Sequence, residues 1–377
     1  MTTNASLIFY ILSFIVSAYF FAYGIRRRLK LFVAISLVIP ILIGGFRYGV
    51  GTDYFNYINL YNSHIKLSFG EFVESNGFGE LLFFVLEKIA YTVSRDSRVI
   101  FIVSVGLTII FFYLGIKAYK IKYPGLVYLL YLTTIFPMTL NAVRQGIAMS
   151  LVFFASTFIL RAEKVKYMLT IIVAGLFHIS ALLLLPIYFL GRFVDGNSAI
   201  KDKKIMNSSE YVKYFIRIAF SIVVISLICL NAFALVLSIP GFEKYELYLS
   251  FNEQGNNYIF FIKAALVLLT VILSRYTVFN GNVRQNKLFL LFSVVEVVLL
   301  TLGFMSPFVK REALYFSPFL LLILPNMIDA IKGSSVKVVI YAVLVLYGVA
   351  FFTVSYFMLD QADIIPYNYS IQGEKSE

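Results

Sequence analysis

The chain has 377 residues, 60% of them hydrophobic and only 14% charged, and its mean hydropathy is +0.86. Those values exclude a soluble globular domain and leave a polytopic membrane protein, expected to be a single integral-membrane domain over 1–377. The net charge of +12 is no argument for nucleic acid, because the basic residues gather in short breaks between apolar blocks and read as cytoplasmic anchors.

A bilayer core about 30 Å thick takes roughly 20 apolar residues per helix. Apolar blocks long enough to span, some only with their flanks, occur at 5–24, 31–46, 98–118, 124–140, 144–161, 214–239, 258–280, 287–306, 313–331 and 336–358. The first lacks a basic region before it and a small-residue cleavage site after it, so a retained helix is expected. Two further blocks are ambiguous. The segment 80–94 is short and carries Glu87 and Lys88 at its middle, which suits an interfacial or re-entrant helix as well as a span. The block 167–190 is either one span or two short legs bent near His178. Together they predict an all-α transmembrane bundle of roughly 10–13 membrane helices, re-entrant or broken segments included. Cys229 is the one cysteine, so neither a disulfide framework nor a thiolate metal cluster can form.

Loop charge orients the chain. Arg26, Arg27, Arg28 and Lys30 place the first loop in the cytoplasm. The segment 47–80 is then an outer loop; if the 80–94 block does not span, Asn141 to Gln145 fall on the same outer side, and the acidic loop 240–257 is outer as well. The basic loop with Lys201, Lys203 and Lys204 stays inside only if the His178 block enters and leaves on one side, which favours the bent reading.

The outer segment from Arg47 to Tyr54 brings a cation and Asp53 together with the flexible backbone of Gly49 and Gly51. Asp53 suits proton transfer, and equally a helix cap. Asn141, Arg144 and Gln145, with Ala148 one turn on, are spaced to form one helical stripe. An arginine there either snorkels to headgroups or faces a polar cavity, and the accompanying Gln and small residue favour the cavity. His178 lies inside an apolar block, beside Ala174 and Gly175, where it can move a proton or sit neutral against a carbonyl. His64, beside Asn and Ser, is expected to be solvated. Arg311 and Glu312 can pair with each other at the interface. Glu296 is expected to be protonated, paired with a buried cation, or lining a cavity. No Asp-x-Asp, His-Glu-x-x-His or Gly-Lys-Ser/Thr pattern occurs, so metal- and nucleotide-dependent chemistry lose support, while arginine forks can still neutralise a phosphate or diphosphate.

Gly45-Phe-Arg47 with Gly51-Thr-Asp53-Tyr54, then Asn141-x-x-Arg144-Gln145-x-x-Ala148, then Phe177-His178-x-Ser180 occur in this order. With them the chain resembles the EpsG-like branch of Wzy-type bacterial polysaccharide polymerases. Lys244-Tyr245, Arg311-Glu312 and Ile365-Pro366-Tyr367 are similar to that branch as well. The resemblance implies a GT-C-like bundle in the bacterial inner membrane whose active site faces the periplasm. The implied activity is that of an inverting, metal-independent glycosyltransferase without cofactors. Its donor and acceptor would be undecaprenyl-diphosphate-linked oligosaccharides, and its partners the bilayer and a chain-length-regulating membrane protein. On this reading Arg47, Arg144 and Arg311 hold diphosphate, and Asp53 or His178 accepts the hydroxyl proton. Tyr54, Asn141, Gln145, Tyr245, Tyr248 and Glu312 contact substrate. The aromatic supply, 27 Tyr and 39 Phe without Trp, supports sugar stacking loosely. A lipid-linked glycan flippase or transporter, an O-antigen-ligase-like transferase and an acyltransferase using His178 are the rival activities.

Overall fold

The computed structural model describes residues 1–195, 208–237, 258–273, 283–304, 307–331 and 333–369. Tyr245, Tyr248, the loop 240–257 and Lys201, Lys203 and Lys204 lie outside the described residues. The fold is all-α. Among the described residues the one antiparallel bridge, Arg47 to Tyr369, stands in no strand. The helices in order are α1 (Thr3–Arg27), α2 (Lys30–Gly45), α3 (Tyr54–His64), α4 (Phe69–Asn76), α5 (Leu81–Val93), α6 (Arg98–Tyr119), α7 (Pro124–Thr134), α8 (Phe136–Asn141), α9 (Val143–Arg161) and α10 (Lys164–Phe177). A 3-10 turn, Ile179–Leu184, leads to α11 (Ile187–Asp195) and α12 (Ser208–Leu237). Then follow α13 (Tyr258–Leu273), α14 (Val283–Leu302), α15 (Pro307–Glu312), α16 (Ser317–Ala330) and α17 (Ser334–Phe352).

Among the described residues five helices are long and apolar enough to cross a membrane: Thr3–Arg27, Arg98–Tyr119, Val143–Arg161, Val283–Leu302 and Ser334–Met358. Shorter apolar helices include Lys30–Gly45, Pro124–Thr134, Tyr258–Ile272 and Ser317–Ile328. This is a multi-pass membrane architecture. Helices α1 and α17 leave Ile8, Leu12, Val338 and Leu346 exposed along their length, an apolar surface that hydrocarbon satisfies.

The chain divides into two compact units. The first comprises Met1–Phe154, Ile172–Ile179 and Val339–Glu377, and the second Ala155–Ile171 and Ser180–Val338. In the first unit α1 begins at Thr2, whose hydroxyl accepts the Ala5 N–H, and ends with Arg26 and Arg27 in its last turn, where cations meet the negative end of the helix dipole. Phe21 stacks on Tyr128 at 4.4 Å and Phe112 on Tyr131 at 3.7 Å, so aromatic faces of α1, α6 and α7 fill that core. The tail after α17 folds back onto this unit. Tyr367 donates its backbone N–H to Ser6 Oγ at 2.9 Å, and its hydroxyl donates to the Ile43 carbonyl at 3.0 Å.

Four expectations change. The segment 47–80, expected to be an outer loop, carries α3 and α4, the latter opened by a Ser68–Glu71 capping box. The block 124–140 is two helices, broken where Ile135 precedes Phe136-Pro137. Asn141 and Arg144 do not share a helical stripe: α8 ends at Asn141, Ala142 leaves helical geometry with ψ 59, and α9 starts at Val143. His64 is not solvated but 7% exposed, because the α3 turn that carries it packs against α5. The His178 block is broken as the bent reading requires, α10 stopping at Phe177 and the 3-10 turn starting at Ile179.

Candidate functional site

The segment between α2 and α3 is shaped by two glycines with positive φ, Gly49 at 59° and Gly51 at 99°. Gly51 donates its N–H to the Asp363 carbonyl at 2.7 Å. A Cβ at Gly51 would run into Asn141 Oδ1 and stand 3.4 Å from Arg47 Nη1, so only glycine fits between those side chains. Asn141 is held by a bond from its Nδ2 to the Ala362 carbonyl at 2.8 Å, while its buried Oδ1 has no hydrogen-bond partner.

Arg47 is fully buried, and none of its three guanidinium nitrogens has a hydrogen-bond partner. Its charge rests on aromatic faces, with Phe101 at 4.8 Å and Tyr54 at 5.8 Å from the guanidinium carbon. Burial pulls its pKa down to about 10, opposed by the surrounding Tyr10, Tyr54, Tyr57 and Tyr367 hydroxyls, so it stays cationic at neutral pH. Tyr54 is itself buried and stacks on Phe101 at 5.0 Å.

A second group of this unit joins α5, α9 and the end of α10. Arg144, in the first turn of α9, pairs with the Glu80 carboxylate. Its guanidinium lies 5.7 Å from the Tyr57 ring and 5.9 Å from the Phe83 ring. The other Glu80 oxygen stands 3.7 Å from His178 Nδ1, within ion-pair range but longer than a hydrogen bond. All three side chains keep partial access, 25% for Arg144, 14% for Glu80 and 23% for His178. Glu80 holds a left-handed backbone, φ 65°, at the start of α5, a conformation that costs energy for a residue with a Cβ and is retained where surrounding structure imposes it. The arrangement can polarise an imidazole: a carboxylate facing Nδ1 favours the proton on that nitrogen and leaves Nε2 basic. Asp53 is half-buried at the N-cap of α3, makes no side-chain cap bond and instead accepts from Asn56 Nδ2 at 3.3 Å. Gln145 is buried on α9.

The second unit holds its own polar cluster. Glu312 is 2% exposed; burial pushes its pKa up to about 8 against the lowering influence of Ser180 and Arg311. Ser180 Oγ is 2.9 Å from the Tyr315 hydroxyl. Glu296 is paired with a buried-side cation, Lys263, and accepts from Ser317 Oγ at 2.5 Å, which selects one of its three sequence readings. Glu80 was missed from sequence because it stands at the polar edge of an apolar block, where an acid reads as a boundary.

A sequence profile described as the EpsG family matches residues 30–369. The chain belongs to the EpsG family. No curated protein and no solved structure gave a match. The matched span includes Arg47, Glu80, Arg144, His178 and Glu312. Membership in the EpsG family, with the apolar helices, supports a multi-pass membrane protein with a polysaccharide-polymerase type of role.

Proposed function

We propose that this EpsG-family chain joins oligosaccharide repeat units carried on undecaprenyl diphosphate, as an inverting, metal-independent glycosyltransferase at the outer face of the bacterial inner membrane. The observation that carries the reading is the Arg144–Glu80–His178 group, a guanidinium and a carboxylate-backed imidazole in one partly open place. The acceptor hydroxyl oxygen attacks the anomeric carbon of the donor's first sugar. The bond from that carbon to the diphosphate oxygen breaks, and the lipid diphosphate leaves with the electron pair. His178 Nε2 takes the hydroxyl proton as general base, and Glu80 stabilises the imidazolium that results. Arg144 meets charge developing on the leaving diphosphate, with Arg47 adding positive potential from its buried position. His178 is preferred to Asp53 as base because Glu80 backs its ring, whereas Asp53 bonds Asn56. Tyr54, Asn141 and Gln145 in the first unit, and Arg311 and Glu312 in the second, are further proposed substrate contacts.

The test is chain extension by the purified protein in lipid vesicles supplied with lipid-linked repeat units. Longer lipid-linked chains support the reading. Transfer of glycan to a different lipid, or a change of sidedness without new glycosidic bonds, rejects it in favour of a ligase or a flippase.

A further inference from the structure

The chain has 2 histidines, and each turns Nδ1 toward a glutamate of the α5 segment. Glu80 faces His178, and Glu87, two helical turns or roughly 10 Å further along the axis, meets His64 at 2.6 Å. The His64–Glu87 contact is deeply enclosed, 7% and 0% exposed. The His64 ring stands edge-on to Phe72 of α4 and to Phe84 of α5, at 5.2 and 5.8 Å. Next to it Lys88 donates to the Ile65 carbonyl at 2.7 Å, a second tie between the end of α3 and α5. A buried carboxylate and imidazole are stable only while they share a proton, and removing either partner strands the other in an apolar setting.

Both helices that this contact ties also hold the proposed catalytic group. From α3, Tyr57 accepts the Val143 N–H at 3.1 Å, at the first residue of α9, and puts its ring beside the Arg144 guanidinium. From α5, Phe83 packs on Tyr57 at 6.1 Å and flanks Arg144, while Glu80 pairs with it. The position of α3 against α5 therefore sets where Arg144 lies and where Glu80 points.

We propose that His64 and Glu87 are a positioning pair, holding α3 against α5 so that Tyr57 and Phe83 clamp Arg144 and Glu80 faces His178. Neither residue touches substrate. The effect on polymerisation rests on the function proposed above; the effect on His178 does not.

The experiment uses the full chain, labelled with 15N in its histidine rings and held in lipid nanodiscs. His64→Leu and His64→Gln each leave His178 as the single imidazole, so its signals need no assignment. Glutamine keeps a donor for Glu87 and leucine does not. The proposal expects the two His178 nitrogen signals to converge in His64→Leu, as the tautomer preference set by Glu80 is lost, and to stay apart in His64→Gln. Chain extension should fall about 10- to 100-fold in kcat with KM for the lipid-linked repeat little changed in His64→Leu, and recover in His64→Gln. If His64→Leu does not fold, Glu87→Leu with Glu87→Gln repeats the comparison from the other side, the His64 signal being identified by its absence in His64→Gln. The same His178 signals in the leucine and glutamine variants overturn the positioning pair. Converged signals with undiminished chain extension keep the pair and instead remove His178 from the reaction.

Discussion

Glu80 faces His178 at 3.7 Å between its Oε1 and the imidazole Nδ1, while its Oε2 is occupied by Arg144. One carboxylate thereby puts negative charge before the proposed base and partly neutralises the proposed diphosphate-binding cation.

Replacing Glu80 with glutamine removes the charge behind Nδ1 and the counter-ion of Arg144 with little change in volume. Chain extension is expected to fall by about 10²–10⁴-fold, the usual worth of positioned acid–base catalysis, with protein yield and thermal unfolding near wild type. A loss below tenfold would take Glu80 out of the proton transfer.

Arg144→Lys keeps the charge but loses the planar fork and its seat between Tyr57 and Phe83. Polymer length should collapse while expression holds, as read from polysaccharide ladders of cells carrying the variant. Ladders of wild-type length would remove the fork from the mechanism.

Gly51→Ala places a methyl group against Asn141 Oδ1 at a φ of 99°. A destabilisation of about 1–3 kcal/mol is expected, seen as a lower unfolding midpoint in detergent. Because Gly51 also holds the Asp363 carbonyl, limited proteolysis should then cut the tail after α17 sooner.

Glu312 gives a pH dependence of stability. Its folded pKa of about 8 lies above the usual glutamate value of 4.5, so the folded state holds a proton that the unfolded chain has released. That preference is fully present below the unfolded value and is lost as pH rises through the folded one. Stability should fall between pH about 4.5 and about 8, by at most about 1.4 kcal/mol per pH unit. Glu312→Gln should flatten the dependence, checked by thermal unfolding across that range.

Lys263→Met strands the Glu296 carboxylate, which is fully buried and bonded by Ser317. The cost is expected to be about 3–5 kcal/mol, and adding Glu296→Leu should recover most of it. Equal instability of the single and double variants would show that the pair contributes through packing instead.

The long apolar helices, and the interruption at His178, were legible in the sequence because hydropathy is a local property: every stretch must satisfy its backbone in hydrocarbon by itself. The Arg47–Tyr54 segment was legible as a tight structure because Gly49 and Gly51 announce positive φ. Arg144 and His178 were legible as residues that an apolar block does not keep without a partner. Their partner was not, because Glu80 is brought to both only by the packing of α5 against α9 and the end of α10. The same holds for His64 and Glu87, and for the break at Ala142 that separates Asn141 from Arg144. Sequence alone thus determined that the chain is an all-α protein of long apolar helices and which polar side chains need explaining. Which acid meets which base, and which cation is left among aromatic rings, was decided by tertiary packing, since those pairings join residues far apart in the chain and carry no local signal.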